Sequence, residues 1–136
     1  MSARLEFRDA VARAFQGKFA KRQDIRVHHE NGSNVDMNST TVPVVAYEIV
    51  YRNSRQADLS DKPRKVDTGE ILITVLVKEL SGVRSAIQLR DEAAELLERS
   101  RFSGASTSMA SLLPNSHAVK GWVGYRAVVP FWHYHF

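Results

Sequence analysis

The stretch TGEILITVLVKEL, residues 68–80, decides the fold. From Glu70 to Glu79 it reads as a strand, with Ile71, Ile73, Val75 and Val77 on one face and Leu72, Thr74 and Leu76 on the other. A strand that is apolar on both sides expects cover on both sides. Two helices are enough to cover one face of a small sheet, so the second face calls for another chain.

Working outward, each neighbouring segment has its own periodicity. Phe7, Val11, Phe15 and Phe19 recur at every fourth position and gather into one stripe of an amino-terminal helix, which Gly17 weakens near its end. DIRVHH, residues 24–29, reads as a short strand, and ENGSNVDMNST, residues 30–40, as a hairpin connection. VPVVAYEIVYR, residues 42–52, is β-branched and aromatic, with Pro43 tolerated near the strand's start.

Residues 53–66, NSRQADLSDKPRKV, cannot pack a core and read as a long, mildly basic loop in which Arg55, Lys62, Arg64 and Lys65 outnumber Asp58 and Asp61. After the central strand, Ser81 and Gly82 lead into a second helix over residues 83–100. Val83, Ile87, Ala94 and Leu97 form its expected buried stripe, widened by Ala86, Ala93 and Leu96, and Gly104 suits a left-handed terminating residue. Asp91, Glu92, Glu95 and Glu98 make its other side acidic.

Residues 105–118 read as a small-residue polar loop. Two strands, 119–123 and 125–135, then close the chain, with Pro130 placing the last one at a sheet edge or on a bulge. The expected order is α β β β α β β, an α+β fold with a mainly antiparallel sheet of about five strands and two helices packed on one face. At 136 residues the chain is expected to be one domain, residues 1–136.

With no cysteine, the chain has neither a disulfide framework nor a thiolate metal site. MSARLEFRDAVARAF has no uninterrupted apolar core, so it reads as neither a signal peptide nor a membrane span, and synthesis in the cytoplasm is expected. The net charge of +4 is concentrated in residues 1–26, where seven basic residues face three acidic ones. The aromatic residues of that segment, Phe7, Phe15 and Phe19, belong to the apolar stripe and do not share the charged face as single-strand binding would want, so a solvated helix face is the simpler reading.

His133 and His135 lie two apart on a strand and can chelate a metal, with His28 and His29 remote candidates for a third ligand. Flanked by Trp132, Tyr134 and Phe136, the pair reads instead as part of an aromatic packing surface, so changing both to alanine should leave the protein folded and functional. Loss of HYHF, or Trp132→Ala, should give an insoluble or unassembled protein. There is no nucleophile elbow, phosphate loop or dinucleotide turn, so no enzyme and no cofactor are expected.

The layout of GEILITVLVKE, SGVRSAIQLRDEAAELLERSRFSG and GWVGYRAVVPFWHYHF resembles the tail terminator proteins of long-tailed bacteriophages over nearly the full chain. The likeness lies in element order, a small-residue helix ending in Phe-x-Gly and an aromatic final strand. The Ser-rich residues 105–118 have no counterpart. The resemblance implies a structural virion protein at the head-proximal end of the tail. It would form a hexameric ring that caps the tail tube, stops polymerisation and joins a head-completion protein, without a membrane or sequence-specific nucleic acid.

On that reading Arg55, Lys62, Arg64 and Lys65 dock onto the tube protein. Arg8 and Arg13 approach Glu92 and Glu95 of a neighbouring subunit, and Trp132, Tyr134 and Phe136 belong to the same interface. A small basic nucleic-acid-binding domain, or a metal-dependent enzyme using His133 and His135, is the alternative.

Overall fold

The computed structural model describes residues 2–28, 42–57, 62–79 and 83–136. The expected connection at 30–40, His29, and the helix entry at Ser81 and Gly82 lie outside the described residues, as do Asp58 and Asp61. The elements are α1 (Ala3–Phe19), β1 (Arg26–His28), β2 (Val44–Gln56), β3 (Lys65–Lys78), α2 (Val83–Leu97), β4 (Arg101–Phe102), β5 (Ala105–Thr107), β6 (Ser111–Ser116) and β7 (Trp122–His135). They form an α+β fold around one mixed, mostly antiparallel sheet.

The described strands lie in the order β1-β2-β3-β7-β5-β4, with β6 also on β7. Two more strands are present than the sequence suggests. β3 is central, paired along its length with β2 on one side and β7 on the other. Its odd positions Ile71, Ile73, Val75 and Val77 are buried against Phe7, Val11 and Phe15 of α1 and Ala86, Leu89 and Ala93 of α2. The two helices share that one face. Ser2 caps α1, its hydroxyl accepting from the Leu5 amide at 3.1 Å, which satisfies one of the donors a helix start leaves unpaired.

Several local expectations are corrected. β1 pairs with β2 in parallel, not as a hairpin. The loop expected over 53–66 is strand at both its ends, a β-hairpin arm in which β2 continues to Gln56 and β3 begins at Lys65. Exposed strand extensions need no apolar alternation, so composition alone reads them as coil.

The polar stretch after α2 is also ordered, into three short strands. Ser103 (φ 50°) and Gly104 (φ 88°) form the two-residue turn between β4 and β5, so Gly104 serves a hairpin and not a helix end. Thr107 of β5 is buried and donates its hydroxyl to the Leu97 carbonyl, pairing one of the acceptors left at the end of α2.

The two expected closing strands are one, β7, and it is interior. It carries β3 on one side and both β5 and β6 on the other. Pro130 fits there because β5 pairs with residues 131–133 and β6 with 124–128, leaving a seam between them. The Pro130 carbonyl accepts from the Ser108 amide at 3.0 Å on that seam. In extended backbone the missing proline N–H points the same way, into the gap, so no ladder bond is lost.

The phase of α2 differs too. Ala86, Leu89, Arg90, Ala93, Ala94 and Leu97 are buried, while Val83 is 54% and Ile87 38% exposed. Small residues bring the helix close to the sheet and turn its two β-branched side chains toward solvent.

Candidate interaction surface

The face of the sheet over which no described helix lies follows from strand alternation. With Ile71, Ile73 and Val75 under the helices, Leu72, Thr74 and Leu76 of β3 point the other way. Beside them lie Ala46 and Glu48 of β2 and Gly124, Arg126 and Val128 of β7. Leu72, Leu76 and Val128 are only half-buried. A trough of about 580 Å³ lies on this face, lined by His28, Ala46, Glu48, Leu72, Thr74 and Arg126 among others.

The aromatic end continues this face. Trp132 and Tyr134 alternate with His133 and His135, so the two aromatics lie on the open side, and Phe136 follows them at 80% exposure. The Arg64 guanidinium sits 5.4 Å from the Tyr134 ring centroid, linking the arm to the carboxyl-terminal strand. Of the other basic arm residues, Arg55 is on β2, Lys65 on β3, and Lys62 lies between them; all three are exposed. A second cavity of about 340 Å³, at the root of the arm, is lined by Arg4, Ser54, Arg55, Gln56, Pro63 and Lys65.

The charged helix residues separate. Glu92 is already paired with Arg22 of its own chain at 3.1 Å, and Glu98 accepts from the Ala110 amide at 2.7 Å. Arg13 and Glu95 are exposed, and Arg8 lies half-buried beside Arg4, Leu5, Ile49 and Tyr51.

On the covered side, under the first turn of α1, is a polar cluster. Asp67 is fully buried; Arg4 donates to both its oxygens, at 2.7 and 2.9 Å, and Ser54 donates at 2.5 Å. His135 Nε2 lies 2.7 Å from Oδ2, and its Nδ1 faces the Phe136 carbonyl at 3.2 Å. The hydrogen bond from Arg4, then those from Ser54 and His135, hold the Asp67 carboxyl well below the usual carboxylate range against the opposing effect of burial.

His133 is buried beside this cluster, 5.6 Å from the Phe7 ring and 5.1 Å from the His135 ring, and its Nδ1 has no hydrogen-bond partner. Burial first, then repulsion from His135, pushes its pKa down; the Asp67 charge and a backbone bond to Ser103 oppose this in part. The histidines therefore are core and cluster residues, not members of an exposed aromatic surface. Among the described residues no group of three or more His, Asp or Glu is placed to hold a metal ion. Nor is any described helix long and apolar enough to cross a membrane.

The cluster gives stability a pH dependence of fixed sign. His133 binds a proton more weakly folded than unfolded, so its contribution is complete above an unfolded value of about 6.5 and is lost as pH falls from there through its lower folded value. Asp67, also depressed, adds a further loss as pH falls below about 4. Urea midpoints should therefore decline from pH 7.5 to 5.0. His133→Phe, which keeps a ring without a proton site, should flatten that decline; an unchanged slope would remove His133 from the account.

The sequence matches no protein-family model and no curated protein. Among the solved structures that match is one similar over 94% of this chain and 95% of its own length, with a TM-score of 0.55 and 13% identity. A likeness at that identity concerns the fold alone.

Proposed function

We propose that the chain is a tail-terminator-type structural subunit. In this reading it assembles into a ring, a hexamer by analogy with the family it resembles, which caps a tail tube, stops its growth and offers a surface to a head-completion protein. It acts by contact, without catalysis or a cofactor, at the head-proximal end of the virion tail. The observation that carries the reading is the open sheet face. Leu72, Leu76 and Val128 of the two central strands, continued by Trp132 and Tyr134, have no helix over them among the described residues, whereas Ile71, Ile73, Val75 and Val77 on the opposite face are buried under α1 and α2. A subunit that is completed by its neighbours has this form. The basic arm, with Arg55, Lys62, Arg64 and Lys65, is the part we assign to the tube.

Negative-stain microscopy and light scattering of purified protein, alone and with tail tubes from the genetic element that encodes it, test this. Rings, or a cap on one tube end, are expected. A monomer that binds neither itself nor tubes would end the proposal.

The aromatic end gives a sharper measurement. Trp132 and Tyr134 are exposed in the single chain, so Trp132→Ala with Tyr134→Ala should change monomer stability by no more than about 1 kcal/mol, the range of partly exposed positions. Assembly should be lost. Of the two outcomes expected for Trp132→Ala, insoluble or unassembled protein, its 40% exposure in the single chain favours the second. Deleting HYHF remains damaging, because it removes His133 and His135.

A further inference from the structure

Two surfaces on opposite sides of the molecule complement one another. The first is the trough on the open sheet face, with Ala46, Leu72 and Thr74 along its floor, Glu48 on one wall and Arg126 on the other. The register sets Glu48 in the row of Leu72 and Val128, and Arg126 in the next row on that face, with Thr74 and Ala46. Two strand spacings and two residue rises place these charges roughly 12 Å apart. Among the described residues neither is in an ion pair.

The second surface is the flank of α2. Val83 and Ile87, one turn apart, are exposed there, and Arg84 and Asp91 stand beside them. Arg84 and Asp91 are seven residues apart, nearly aligned along the helix, which separates them by about 10.5 Å. Their spacing matches that of Glu48 and Arg126, with the signs opposed. Arg84 is in no ion pair among the described residues, and Asp91 has a single long contact, 3.4 Å, with Arg90 Nε.

We propose that the flank of α2 of one copy lies in the open sheet trough of the next, with Val83 and Ile87 on the floor, Arg84 at Glu48 and Asp91 at Arg126. This rests on the ring reading above and specifies its contact. Because α2 packs on the covered face of its own sheet, one chain cannot join these surfaces to each other. Two different patches meet, so the contact is head-to-tail, and a head-to-tail series of copies closes only as a ring.

The absence of cysteine makes a direct test simple. Leu72→Cys and Ile87→Cys are made as separate proteins and treated with a short bismaleimide, singly and mixed. A covalent dimer is expected in the mixture at several times the yield of either protein alone, and a ladder when both cysteines are in one chain. Glu48→Arg should lower the mixed yield, and adding Arg84→Glu should restore it. Equal dimer yields in the single proteins would indicate a two-fold contact and overturn the proposal. No mixed dimer from protein that light scattering shows to be oligomeric would overturn this contact and leave the ring standing. Protein that stays monomeric, with and without tubes, would overturn both.

Discussion

Replacing His133 and His135 together by alanine is expected to destabilise the folded chain by about 3–5 kcal/mol, the combined effect of a large-to-small core change and a lost bond to a charged group. His133 is buried on Phe7, so its removal opens a cavity beneath the first turn of α1. His135 is one of three partners of a fully buried carboxylate, and losing it leaves Asp67 to Arg4 and Ser54. The rings are 5.1 Å apart, so the two effects are coupled and need not add. Domain stabilities of about 5–15 kcal/mol make this a large share of the total. Urea unfolding at pH 7.5 would show it as a midpoint shift with little change in slope. A double variant as stable as the parent would mean that the polar cluster contributes nothing to holding α1 on the sheet.

The second large effect belongs to Gly69. It lies on β3 opposite Tyr51, where the register of β2 shifts between Tyr51 and Asn53, and opposite Phe131 of β7. A Cβ at Gly69 would stand 2.0 Å from the Val50 carbonyl oxygen and 3.0 Å from two atoms of the Phe131 ring. The Val50 contact is backbone in a paired strand and cannot rotate away. Phe131 is held in turn by Phe7 at 4.8 Å and by Tyr51 edge-on at 5.5 Å. Gly69→Ala should therefore cost about 3 kcal/mol or more, at or above the upper end of ordinary overpacking, and reduce soluble yield. Gly17→Ala, on an exposed helix position with open space around it, should be neutral or stabilising by up to about 1 kcal/mol and serves as the control. Equal melting temperatures for the two variants would contradict the packing described at Gly69.

What the sequence discloses is set by periodicity. Phe7, Val11, Phe15 and Phe19 repeat over four turns, and all four are buried as the stripe requires. The alternation over Ile71–Val77 identifies a central strand with an apolar second face. The strands β4, β5 and β6 leave no such trace, since they are only two, three and six residues long, too short to show an alternation, and are placed by pairing, β5 and β6 with β7 and β4 with β5. The α2 stripe misleads because hydrophobicity ranks Val83 and Ile87 above alanine, whereas close helix–sheet packing selects Ala86, Ala93 and Ala94. The polar cluster is illegible for another reason. Arg4, Asp67 and His135 are single polar residues 63 and 68 positions apart, and only the pairing of β3 with β7 under α1 brings them together. The expected contact of Arg8 and Arg13 with Glu92 and Glu95 has a partial counterpart inside one chain, where Arg22 at the end of α1 takes Glu92.

The pairing of β3 with β7 also sets the order in which the chain can acquire structure. Lys65 meets His135 and Lys78 meets Trp122, so this ladder joins residues between 44 and 70 positions apart in sequence. The β2–β3 hairpin closes over a much shorter span, from Gln56 opposite Lys65 outward, and is available first. Topologies dominated by distant pairings fold slowly, in milliseconds to seconds, because the loop must close before its contacts reward it. During that interval the inner edge of β3, its most hydrophobic run, is an unpaired template for any other nascent copy. The same strand that centres the finished sheet is thus the chain's main aggregation hazard while it folds, and expression temperature and chaperone supply should govern yield more than the stability of the folded product does.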